Sequence, residues 1–70
     1  MEILVFKTNL TSLKSVKKIK PHLNETEGII QWNVDLQDRD KVLRIKTDNI
    51  SSQHIVNLIS INGFECEELV

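Results

Sequence analysis

From Ile30 to Leu36 the chain runs Ile-Gln-Trp-Asn-Val-Asp-Leu, apolar and polar in unbroken alternation. Successive side chains of a strand point to opposite faces, so this run predicts a strand that buries Ile30, Trp32, Val34 and Leu36 together. The next five residues, Gln37-Asp38-Arg39-Asp40-Lys41, are charged and turn-forming, and Val42 to Lys46 follows with Leu43 and Ile45 sharing a face. The two runs predict a β-hairpin with a solvated loop. What flanks the hairpin decides the fold.

Upstream, Ile3-Leu4-Val5-Phe6 is a short apolar run bounded by Lys7-Thr8-Asn9, and it predicts a strand lying centrally in a sheet. From Thr11 or Ser12 to about Glu25, Val16, Ile19 and Leu23 recur at three- and four-residue intervals while Lys14, Lys17, Lys18 and Lys20 fill the other face. This is the pattern of an amphipathic helix. Pro21 removes a backbone donor and crowds the carbonyl of Lys17, so a kink or tightening is expected there. Downstream, Ser51 or Ser52 can cap a second helix with a stripe of Ile55, Leu58, Ile59 and Val56, ended by Asn62-Gly63. Phe64 to Leu69 predicts a last strand. Strand, helix, hairpin, helix, strand closes most simply as an α+β, ferredoxin-like βαββαβ open-faced sandwich. Its four-stranded antiparallel sheet carries two helices on one face.

Seventy residues allow one domain, spanning 1–70, and one modest core, because so small a chain buries only about 60% of its unfolded surface. Charged residues make up 27% of it and apolar ones 40%, the balance of a water-soluble globular chain. Nine basic against ten acidic side chains leave no global field to draw it onto nucleic acid or an anionic membrane. Its apolar runs are too short for membrane insertion. A single cysteine, Cys66, cannot close an internal disulfide, which makes a reducing cytoplasm the expected location. Met1 is expected to be frayed or removed.

The segment between first strand and first helix is similar to that of heavy-metal-associated domains and copper chaperones. There a Met-Thr-Cys-x-x-Cys loop occupies this position; here the residues are Leu10-Thr11-Ser12-Leu13-Lys14-Ser15. Val16, Ile19, Leu23 and Gly28 then fall on the apolar and glycine positions that follow the second cysteine. Trp32-Asn33-Val34-Asp35-Leu36 resembles the family's second strand, and Ile55, Ile59, Gly63 and Phe64 its second helix and closing Gly-aromatic pair. The resemblance covers nearly the whole chain and implies the same fold. It also implies that Ser12 and Ser15 stand at former ligand positions, with Leu10 where the supporting methionine would be. Cu(I) transfer between partners needs soft, readily deprotonated sulfur, which a serine hydroxyl cannot supply. No bound metal and no other cofactor is expected.

Cys66 follows Gly63-Phe64 at a position suited to the core. His22 and His54 lie on different helices in polar company, without the spacing that assembles a metal site, and read as surface residues. Trp32 fits a core or sheet-edge role better than ligand stacking. Ser15 and His22 are about two helical turns apart, and no glycine-rich anion loop with an arginine, as in acylphosphatases, is present; catalysis is not expected. The preferred reading is a non-catalytic interaction module in which Lys14, Lys17 and Lys18 dock an acidic protein surface. The alternative is a copper- or zinc-binding protein using Cys66 and a histidine, alone or shared across a dimer.

Overall fold

The computed structural model describes residues 2–69, so the expectation for Met1 lies outside the described residues. Strand β1 (Glu2–Thr8) leads into helix α1 (Leu13–Glu25), strands β2 (Ile29–Asp35) and β3 (Val42–Thr47) form the hairpin, and helix α2 (Ser52–Ile61) precedes strand β4 (Cys66–Glu68). The strands lie in the order β2-β3-β1-β4, every neighbouring pair antiparallel, with β1 interior as expected. Residues of one sheet face, Phe6, Leu43 and Ile45, form a single buried cluster with Ile19 and Leu23 of α1 and Ile55 and Ile59 of α2. Both helices therefore cover the same face, leaving the other uncovered.

Local chemistry sets the helix boundaries. The Ser12 side chain accepts from the Ser15 backbone N–H and that of Ser51 from the His54 N–H, each satisfying a donor that the first turn leaves orphaned. α1 continues through Pro21 for a further turn, to Glu25. At the end of α2, the Gly63 N–H reaches the Ser60 carbonyl (3.0 Å) and the Phe64 N–H the Ile59 carbonyl (3.2 Å), with Gly63 at φ 89°. This paired arrangement is a Schellman cap. It spends the Phe64 amide on the helix, so the last strand is the three residues Cys66–Glu68 rather than the predicted Phe64 to Leu69.

A second departure lies in β2. Trp32 and Val34 pack against the core as predicted, opposite Ile45 and Leu43. Ile30 does not: it is 55% exposed, and Ile29 packs against the core instead. The cause is a bulge, in which Ile29 pairs with Thr47 and Gln31 with Lys46, leaving Ile30 as an extra residue that reverses the alternation. Leu36, assigned to the same face, falls in the turn and is half-buried.

Candidate functional site

The amino end of α1 is positioned by the chain on both sides of it. The Thr8 hydroxyl donates to the Lys41 carbonyl (2.6 Å) and accepts from the Leu10 N–H (3.2 Å), while the Thr8 N–H donates to the Asp40 carbonyl (3.0 Å). Asn9 is held twice by Glu65, its side-chain oxygen accepting the Glu65 N–H (2.8 Å) and its own N–H reaching the Glu65 carbonyl (3.3 Å). Leu10 is fully buried beneath. These contacts clamp the β1–α1 loop between the hairpin turn and the approach to β4. In the sequence Thr8 and Asn9 read only as the polar end of a strand, and nothing nearby signals a partner such as Glu65.

On this platform Ser12 is exposed and Ser15 half-buried, their hydroxyl oxygens 3.3 Å apart. Ser12 Oγ also caps the helix through the Ser15 N–H at 3.3 Å. Both groups are hard, neutral donors. The donor set does not fit a soft metal ion such as Cu(I), and no step is assigned to one. Among the described residues no group of three or more His, Cys, Asp or Glu is placed to hold a metal ion.

Lys14, Lys17 and Lys18 are all exposed, spaced so that they share one face of α1. Beside them Leu13 is 66% exposed. Among the described residues the only ion pair joins Lys7 and Asp40 at 3.9 Å, so the three lysines carry no carboxylate partner. The first turn of α1 contains no acidic residue. Lys14, alone of the three in the first turn, opposes the helix macrodipole.

Cys66 pairs across the sheet with Thr8 and packs half-buried against the core. Burial pushes its thiol up from an ordinary 9.0 to about 11. The folded chain thus favours the neutral thiol. Stability from this preference is complete below about pH 9 and is lost as the pH climbs toward 11. Near pH 8 alkylation by iodoacetamide should run at least about tenfold slower in the folded protein than in denaturant, because the thiolate is the nucleophile. Mass spectrometry of timed samples reads this, and equal rates would contradict the burial. A shallow depression of about 560 Å³ opens at Cys66, lined also by Lys7, Asn9 and Phe64; neither His22 nor His54 lines it. Both histidines are exposed, one in the last turn of α1 and one in the first turn of α2. Trp32 spans the sheet edge, its indole N–H donating to Asn24 Oδ1 of α1 at 2.9 Å.

No protein-family model matches the chain, and no curated protein does. Solved structures do. A copper binding domain from HMA7, a P-type ATPase, superposes with a TM-score of 0.86 at 19% identity, over 100% of this chain and 96% of that one. A chain of the Atx1-Cu(I)-Ccc2a complex gives 0.85 at 19% identity, over 100% and 97%. The Cu(I)-loaded first domain of the human copper chaperone for SOD1, CCS, gives 0.80 at 21% identity, over 94% and 89%. No helix among the described residues is long and apolar enough to cross a membrane. In strand order, helix placement and extent, the chain has the ferredoxin-like fold of heavy-metal-associated copper-binding domains.

Proposed function

We propose that this chain is a non-catalytic protein-interaction module: a domain of the copper-chaperone type whose ligand positions are Ser12 and Ser15, and whose lysine face docks an acidic protein surface. The observation that carries the reading is the amino end of α1. A clamped loop presents two hydroxyls where a carrier needs thiolates, next to Lys14, Lys17 and Lys18, which are exposed and unpaired among the described residues. One of the three, Lys14, stands in the first turn of a helix whose dipole disfavours a cation. A partner's carboxylates would repay that cost, acting mainly on association rate and orientation. Within this fold one relative is seen in a protein complex, Atx1-Cu(I)-Ccc2a.

Two measurements test the reading. Anaerobic titration with Cu(I), and separately Zn(II), against a competing chelator should leave no stoichiometric complex in native mass spectra. A metal that survives competition and protects Cys66 from alkylation would overturn the proposal in favour of Cys66 and a histidine as ligands. Association with an immobilised oligoglutamate, standing in for an acidic face, should weaken as salt rises and fall at least about tenfold in a Lys14→Glu/Lys17→Glu/Lys18→Glu variant. Binding indifferent to both would remove the lysine face from the proposal.

A further inference from the structure

We propose that the uncovered face of the sheet is a second docking surface, which takes an acidic segment of another protein that presents carboxylates and aliphatic side chains together on one face. The strand registers place two rows on this face, on the side opposite Leu4, Phe6, Leu43 and Ile45. Lys46 lies between Gln31 and Ile3, and Arg44 between Asn33 and Val5. Cross-strand neighbours on one face stand close enough to act as a unit. Each row therefore offers a cation at its centre, an amide on one side and an aliphatic group on the other.

Neither cation is paired with a carboxylate, since Lys7–Asp40 is the only ion pair among the described residues. Ile3 is 67% exposed, while Val5 is half-buried. A depression of about 230 Å³ lies between the rows, lined by Ile3, Gln31, Asn33, Arg44 and Lys46. The acids of this face lie at its margins. Glu67 pairs across the ladder with Lys7, and Asp35 Oδ1 is occupied by the backbone N–H groups of Gln37 and Asp38 at 3.0 and 3.3 Å. The centre is thus cationic and partly apolar, with no internal counter-charge.

That chemistry selects the occupant. A second copy presenting the same face would set Arg44 and Lys46 against like charges, which disfavours it. A single-stranded nucleic acid would need aromatic platforms for its bases. All three aromatic residues, Phe6, Trp32 and Phe64, pack with the core instead. Carboxylates and aliphatic groups on one face of the segment match both kinds of site in the rows. The surface lies on the far side of the sheet from α1, so it is independent of the lysine face on that helix.

The test uses the intact chain carrying Lys14→Glu, Lys17→Glu and Lys18→Glu, so that α1 cannot contribute. It is titrated with a short synthetic peptide in which every second residue is alternately glutamate and leucine, with threonine between, so that an extended chain shows both on one face, and followed by amide chemical shifts. Shifts should concentrate on Ile3, Val5, Arg44 and Lys46. Adding Arg44→Glu and Lys46→Glu should weaken binding at least about tenfold, or about 1.4 kcal/mol, and the milder Arg44→Gln/Lys46→Gln pair should weaken it less, with amide dispersion confirming the fold. Absence of shifts, shifts confined to the helices, equal binding of a lysine-leucine peptide, or preferred binding of oligouridylate would each overturn the proposal.

Discussion

Replacing Ser12→Cys together with Ser15→Cys should create a chain that keeps a single Cu(I) under chelator competition, where the parent is expected to keep none. The two hydroxyl oxygens already stand 3.3 Å apart, so two sulfurs on the same carbons need only rotamer adjustment to bracket an ion. The amino end of α1 and the neighbouring lysines would lower both thiol pKa values and so favour the thiolate that binds soft metal. The loop that carries the pair is clamped by Thr8 and Asn9, so little ordering remains to be done on binding. Native mass spectrometry under anaerobic competition reads the outcome. Single replacements should bind far more weakly, because one thiolate cannot close the site. If the double variant binds no better than the parent, the assignment of Ser12 and Ser15 to the ligand positions is wrong, whereas the fold stands on independent ground.

The largest loss of stability is expected at a glycine, not in the lysine face. Gly28 sits at φ 99°, where side chains are strained, and a Cβ there would lie 2.7 and 2.8 Å from two Ile50 side-chain atoms and 3.0 Å from the Asp48 carbonyl oxygen. The Gly28 carbonyl also accepts the Asp48 N–H at 2.8 Å, so the backbone cannot draw back without losing that bond. Strain and overpacking together should make Gly28→Ala cost about 3 kcal/mol, a large share of the roughly 5 kcal/mol expected of so small a domain. Gly63 separates the two effects. Its φ is 89°, yet nothing lies within 4 Å of the added Cβ, so Gly63→Ala should cost only about 1 kcal/mol. Urea unfolding of the two variants checks the contrast, and equal losses would show that the contact with Ile50 and Asp48 is relieved cheaply.

Legibility in the sequence followed the range of the interaction. Ser51 was readable as a cap because a cap joins residues three apart, and Leu43 and Ile45 as a buried pair because a strand repeats every two residues. The same local logic failed where a neighbour competed for a backbone group. Phe64 belongs by composition to a strand, but its N–H closes the cap of α2. Ile30 belongs by alternation to the core, but the bulge inserts it as an extra residue. Of the candidate site, the serine pair and the three lysines were legible because they lie within two turns of one helix. The clamp on their loop was not, since the hydrogen bond from Glu65 to Asn9 spans 56 residues.

By itself, then, the sequence determined the order and type of the elements, the apolar stripes that must meet, and the absence of paired thiols at the start of α1. Each is a matter of side-chain identity and short-range periodicity. Only the tertiary structure decided which strands became neighbours in register, and thereby that Lys46 and Arg44 stand between amides and aliphatic groups on the uncovered face. Register between strands far apart in the chain is set by the joint packing of both helices and all four strands, and no single segment encodes it.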